Sequence, residues 1–202
     1  MKQATICLLA LICYVAAEVP SKQERRLIVQ AHTKIREGVS PSASDMKMMK
    51  YSKKLEEQAE KSLTECIVED PLVTAYSDNE TQNMRMYFDK KPTYADMIND
   101  LADDAQYYDY DANTCTEDCT QYKRIVWADS TRVGCAMHKC GYLDSEQSRP
   151  VYVVICQYDP MQGIEERRPY VKGRSCSKCP AGDICRRKQC VKQQEQAQMR
   201  RA

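Results

Sequence analysis

Val126-Trp127-Ala128-Asp129-Ser130-Thr131-Arg132-Val133-Gly134-Cys135-Ala136 is the stretch whose reading decides the fold. It opens apolar, turns through small and polar residues, and enters a run from Arg132 to Cys140 that reads as a β-strand. Val151 to Tyr158, β-branched and aromatic, reads as another strand, and the short Ile125-Val126-Trp127 run is expected to be a strand of its own. Before Tyr110 the apolar residues follow a helical period instead. Helices first and strands afterwards imply an α+β layered domain.

Ser21-Lys22-Gln23-Glu24 predicts a capped helix start, with the Ser21 hydroxyl and the Glu24 carboxylate each taking a free N–H. Leu27, Ile28, Ala31 and Ile35 then recur at helical spacing, and Gly38 can end the helix. Ser40 to Ser44 reads as a loop. A second helix is expected from about Ser52, with Leu55, Ala59, Leu63 and Cys66 on one face. Pro71 to Lys91 shows no clear period and is expected to be irregular. A third helix is expected from near Thr93, with Met97, Ile98, Leu101, Ala105 and Tyr108 as its stripe. The simplest reading of all three stripes is core.

Residues 1–17 read as a cleavable leader: a basic start at Lys2, an apolar stretch from Ala4 to Ala17, and small residues at Val15-Ala16-Ala17. Of the twelve cysteines, Cys7 and Cys13 leave with it. The even remainder implies a secreted, disulfide-bonded chain whose pairing the sequence alone leaves open. No later segment is long and apolar enough to cross a membrane, and no lipid-anchor signal is visible. Cys176-x2-Cys179-x5-Cys185-x4-Cys190 marks a small stapled unit; its Cys-x2-Cys also resembles half a zinc knuckle, for which no supporting His is present. From Arg167 to Ala202 there are eleven Lys/Arg against two Asp/Glu, so a basic C-terminal segment follows an acidic body. Such asymmetry speaks to partners rather than to fold.

At these residues the chain resembles the CAP superfamily of secreted proteins, which includes cysteine-rich secretory, antigen 5 and pathogenesis-related 1 proteins, and within it the venom allergen-like proteins of parasitic flatworms. His32-Thr33-Lys34-Ile35-Arg36 is similar to the family's first-helix His-Asn-x-x-Arg. The Val126–Ala136 stretch follows its main signature, Val153 to Pro160 resembles its second, and Pro169-Tyr170 precedes the four cysteines. The resemblance implies a three-layer α-β-α sandwich over residues 18–160, a connector at 161–175, a hinge-like module at 176–190 and a disordered basic tail at 191–202. It suggests the pairs Cys66–Cys140, Cys135–Cys156, Cys176–Cys185 and Cys179–Cys190, leaving Cys115 and Cys119 for each other.

The same resemblance locates a cleft that carries two His and two Glu in typical members, a donor set suited to Zn²⁺ or similar ions. Here Gln121 stands for one His, and Asp104 and Asp78 stand for the two Glu. Asp70 is the nearest candidate for the second His. An amide is a poor ligand beside an imidazole, and each Asp is one methylene shorter than Glu, so no metal site, cofactor or catalytic residue is expected. His32 and His138 read as structural. Asn79-Glu80-Thr81 is a glycosylation sequon.

The leading expectation is therefore a non-enzymatic protein-interaction or immunomodulatory effector acting on a host or other extracellular protein. The alternative is a lipid- or sterol-binding protein, with Leu27, Ala31 and Ile35 facing Met97, Leu101 and Ala105 across the channel that the family places between helices; an ordinary filled core explains the same residues. A hydrolase is a third reading, for which no nucleophile–base pair is visible. Sulfated glycans are a further expected partner, through the basic C-terminal tail; no nucleic-acid partner is expected.

Overall fold

The computed structural model describes residues 17–63, 67–68, 81–142, 149–164 and 166–193, with backbone alone at 67–68 and 141–142. In chain order the elements are α1 (Lys22–Glu37), β1 (Lys50–Tyr51), α2 (Lys53–Lys61), β2 (Ile67–Val68), β3 (Gln82–Phe88), α3 (Tyr94–Ala102), a 3₁₀ turn (Asp103–Tyr107), β4 (Tyr108–Asp109), β5 (Thr114–Cys115), α4 (Thr120–Ile125), β6 (Arg132–Tyr142), β7 (Val151–Asp159), β8 (Asp183–Arg186) and β9 (Gln189–Lys192).

The main sheet runs β1-β6-β7-β3, with β2 also paired to β6. Strands β6 and β7 are antiparallel, Cys135 opposite Cys156, and β3 pairs antiparallel with β7 from Gln82–Gln157 to Phe88–Val151. Alternation along the strands separates two faces. Val133, Cys135, Met137, Val154, Cys156 and Tyr158 pack in one core with residues of α1, α3 and α4. Ala136, Cys140, Val151, Val153 and Ile155 pack in another with Ala59 and Leu63 from the α2 region. The result is the three-layer α-β-α sandwich.

Helix α1 begins with the expected reciprocal cap: Ser21 N donates to Glu24 Oε2 at 2.8 Å, and Glu24 N donates to Ser21 Oγ at 3.2 Å. Helix α2 is capped by Ser52 and α3 by Thr93 with Asp96. Helix α2 lies so close to β6 that a Cβ on Gly134 would stand 2.2 Å from Glu56 N and 2.5 Å from Ser52 O. Only glycine permits that approach.

Several expectations are corrected. Ile125-Val126-Trp127 is not a strand but the end of α4 and its exit turn; Tyr122, Ile125 and Val126 fall at helical spacing and are all buried. Residues 82–88 form a sheet strand rather than irregular chain. That strand alternates between sides without a β-branched residue: Met84, Met86 and Phe88 pack toward the α2 face, while Asn83 and Tyr87 bond toward the other helices. Helix α3 stops at Ala102, so Ala105 falls on the 3₁₀ turn and is exposed. On α1 the buried face is Ile28, His32, Thr33 and Arg36, and Leu27 points outward at 44% exposure.

Residues 174–193 form the β8–β9 hairpin and the turns before it. Cys176–Cys185 and Cys179–Cys190 lie within this unit; Cys115–Cys119 and Cys135–Cys156 lie in the body. Cys140 is also disulfide-bonded, and its expected partner Cys66 lies outside the described residues. The hairpin docks by backbone bonds, Cys190 N to Met46 O at 2.7 Å and Met48 N to Cys190 O at 2.9 Å. The expected tail boundary is corrected, since Val191 and Lys192 belong to β9 and Val191 is buried; the leader before Ala17 and residues 194–202 lie outside the described residues.

Candidate functional site

Two polar residues four apart on α1, His32 and Arg36, enter the core together. Arg36 is 1% exposed. Its Nη1 donates to Ile125 O (2.9 Å) and Trp127 O (2.7 Å), and its Nη2 donates to Lys47 O (2.7 Å), Ser130 O (3.1 Å) and Ala128 O (3.3 Å). One guanidinium thus fastens the turn that the signature stretch encodes to the first helix and to the loop before β1. Burial pushes its pKa down to about 9, against the pull of Tyr158, Asp45 and Asp129, so it remains charged at neutral pH.

His32 is fully buried. Its Nδ1 lies 2.8 Å from Ile28 O and its Nε2 lies 3.1 Å from Tyr158 Oη. A carbonyl only accepts, so Nδ1 carries the proton and the tyrosine hydroxyl donates to Nε2. Asn83 Nδ2 donates to Tyr158 Oη (3.3 Å) and to Gln121 O (2.9 Å), and Arg124 Nη1 donates to Asn83 Oδ1 (3.4 Å). Burial pushes the His32 pKa down to about 4; the Ile28 carbonyl opposes the shift and the Arg36 charge adds to it. The imidazole is therefore a neutral link in a structural chain.

Of the four expected cleft positions, Asp104 and Gln121 are described. Gln121 Oε1 accepts from Met84 N at 3.0 Å, capping the outer edge of β3. Asp104 sits half-buried on the 3₁₀ turn. Burial raises its pKa, the Arg85 guanidinium opposes this, and Asp118, Asp103 and Glu117 add to the rise. Asp70, Asp78 and the sequon Asn79 lie outside the described residues. Among the described residues no group of three or more His, Cys, Asp or Glu is placed to hold a metal ion. His138 lies on β6 in register with Ala136 and Cys140, on the α2 side of the sheet, whereas His32 bonds Tyr158 on the other side. The sheet separates the two imidazoles, so they cannot share a ligand.

The six candidate channel residues do not line one cavity in the described structure. Met97 and Leu101 are sealed in the core at 0% exposure. Ala31 is half-buried against that core, while Leu27 and Ala105 are exposed. Ile35 and Ala105 do meet, in a cleft of about 460 Å³ between the end of α1 and the 3₁₀ turn, with Val39, Ala102, Tyr108 and Tyr122 also on its walls.

This fold and this pattern of cysteines define a CAP domain. Residues 29–158 match the family described as CAP, the cysteine-rich secretory protein family, and the chain belongs to it. The chain is 30% identical to GLIPR1-like protein 1 of Homo sapiens, over 90% of this chain and 78% of that protein. It is 28% identical to Homo sapiens peptidase inhibitor 16, over 83% of this chain but 36% of that protein, so it spans about a third of that relative. Among solved structures it is similar to Schistosoma mansoni venom allergen-like protein 4 (26% identity, TM-score 0.56, covering 79% of this chain and 100% of that one). It shares its fold with the hookworm platelet inhibitor (22% identity, TM-score 0.67, covering 87% and 93%).

Sequence reasoning placed Arg36 and Tyr158 within signature motifs but gave neither a role. The signal for Arg36 was present: a His and an Arg four apart, each beside the apolar stripe of an amphipathic helix.

Proposed function

We propose that this chain is a secreted, non-enzymatic CAP protein that acts by binding another extracellular protein, in the manner of an immunomodulatory effector. One observation carries the reading: among the described residues His32, Gln121 and the cysteines, groups that could do chemistry, are already engaged in structure. His32 holds Ile28 and Tyr158. Gln121 closes a strand edge. The cysteines at 115, 119, 135, 140, 156, 176, 179, 185 and 190 are in disulfides, which removes a thiol nucleophile among the described residues. The name of one relative, peptidase inhibitor 16, accords with action through a protein partner. The excess of basic residues after Arg167 supports an added contact with sulfated glycans.

A second reading, lipid binding, draws on the Ile35–Ala105 cleft, where Ile35, Val39, Ala102, Tyr108 and Tyr122 stand among the polar side chains of Lys34, Ser40, Asn99 and Gln106. Native mass spectrometry of the secreted protein separates the two. A clean protein mass supports the effector reading, and a co-purifying lipid supports the second. Calorimetry tests the silent cleft: Zn²⁺ is expected to bind no tighter than about the millimolar range. A stoichiometric micromolar site on the unmodified protein would refute it.

A further inference from the structure

We propose that the trench between α1 and the β8–β9 hairpin is the binding site for a linear sulfated glycan. The inference rests on the reading that the chain contacts sulfated glycans, and it moves that contact from the tail to a built groove. The trench has a volume of about 620 Å³ and six cations on its walls: Lys22, Arg25 and Arg26 from α1, Lys50 from β1, and Arg186 and Arg187 from the hairpin. Among the described residues no carboxylate lines it. Among the described residues two carboxylates lie close by, and each holds one cation in place. Glu56 takes Arg25 at 2.7 Å, and Glu37 takes Arg187 at 2.6 Å. Lys22 and Arg26 are exposed and make no ion pair among the described residues.

The walls are rigid. Lys22, Arg26, Val29 and Thr33 follow one face of α1, a track of about 16 Å at the helical rise. On the other wall, Arg186 directly follows Cys185, which is tied to Cys176, and Cys179–Cys190 clamps the same hairpin. Gln189 Nε2 donates to Thr33 O at 3.1 Å, fixing hairpin to helix across the floor. The backbone that carries the cations is fixed, and Arg25 and Arg187 are also pre-oriented by their carboxylates, so these two lose little freedom on meeting an anion.

The shape selects among anions. A second cleft, about 520 Å³, shares Met48 and Lys50 with the first and continues along the seam between body and hairpin. It adds Lys47, Arg132 and Lys192 against Asp129 and Asp183. A linear polyanion can follow both clefts, and a compact anion uses a fraction of either. A bilayer is flat and reaches only the rims, and the floor residues Met49 and Val191 are buried at 1% and 2%, so they offer nothing to insert.

The test is titration of the mature chain with a size-defined heparin oligosaccharide across a range of NaCl concentrations. Lys22→Glu with Arg26→Glu is compared with Lys53→Glu with Lys54→Glu, a charge-matched pair at the exposed start of α2. Acidic residues near a helix N-terminus are favourable, and circular dichroism confirms that each variant is folded. The trench variant is expected to bind about tenfold more weakly at physiological salt, with a shallower salt dependence, because linear polyanions release counterions in proportion to the cations engaged. The α2 variant and a chain ending at Gln193 are expected to stay within about threefold of the parent.

Equal losses in the two charge variants would overturn the trench and leave only net-charge attraction. Loss confined to the shortened chain would overturn the trench and keep the tail as the glycan contact. No binding by the parent overturns both. Tighter binding to phosphatidylserine vesicles than to heparin at equal salt would assign the surface to a membrane instead.

Discussion

The sandwich body and the cysteine module both carry disulfides, but the body rests mainly on buried apolar clusters and the module mainly on its cross-links. The body buries two apolar clusters, one on each face of its sheet, and threads a charged guanidinium and a neutral imidazole through the larger. Between residues 174 and 193 only Gln189, Cys190 and Val191 are buried, yet two disulfides fall there. A unit that small cannot remove enough apolar surface from water to order itself, so cross-links that restrict its unfolded chain take over. The body can therefore be broken by removing one polar pin, and the module by removing covalent ones.

The largest effect is expected at the pin. In Arg36→Leu, five backbone carbonyls lose a bond from one side chain; Trp127 O and Ala128 O keep the N–H groups of Ser130 and Lys47, while those of Ile125, Lys47 and Ser130 lose the guanidinium in a largely buried place. Urea denaturation should show a loss of about 4 kcal/mol, since an orphaned buried polar group is costly and several are created at once. Arg36→Lys keeps the charge but not the planar fork, and should recover only part of it. A loss below about 1 kcal/mol in Arg36→Leu would show that the turn is held by its own packing.

Next is the contact between α2 and β6. The added methyl in Gly134→Ala would meet the backbone of Ser52, Leu55 and Glu56, which cannot swing aside as a side chain could. About 3 kcal/mol is expected, at the upper end for overpacking. Faster hydrogen exchange in α2 should accompany it, with exchange in α1 unchanged.

A smaller effect depends on pH. The native pKa of His32, lowered to about 4 by burial, lies below its ordinary value of 6.5. As pH falls through 6.5 the unfolded chain takes up a proton that the native chain refuses, so stability declines until about pH 4 and then levels with respect to this group. The decline is of the order of 2–3 kcal/mol. His32→Gln should flatten that part of the pH–stability profile, whatever its effect at neutral pH. An unchanged slope would mean that other groups cause the acid sensitivity.

The sequence was legible where local chemistry and tertiary packing agree. Ser21 and Glu24 announce a cap and form one. The β-branched and aromatic runs around Val133 and Val153 announce strands, and both are central to the sheet. It misled where packing overrides local preference. Ile125-Val126-Trp127 is apolar enough for a strand, but its spacing from Tyr122 continues a short helix. Gln82 to Phe88 lacks strand composition because an edge strand between two layers takes whatever each layer needs: methionines on one side, Asn83 and Tyr87 on the other. At the expected cleft, the sequence offers Gln121 as an amide where the resemblance places an imidazole. Its bond to Met84 N was not legible, since nothing local to residue 121 says which strand edge it will meet.

The smallest effect on the body, and the one that most sharpens the contrast, comes from unstapling the module. Cys179 and Cys190 are joined across 11 residues of sequence separation. Cys179→Ala with Cys190→Ala should lower the local opening free energy of β8 and β9 by about 3 kcal/mol, read from amide exchange. The global unfolding midpoint should move by less than about 1 kcal/mol, because the pins and cores of the body lie elsewhere and distant contributions add independently. The hairpin is nonetheless bound to Met46, Met48 and Thr33 through backbone and amide bonds. If the global midpoint falls as far as the local one, those bonds make hairpin and body one cooperative unit. The two disulfides would then stabilise the whole chain, and the wall of the trench that carries Arg186 and Arg187 would be as firm as the helix opposite.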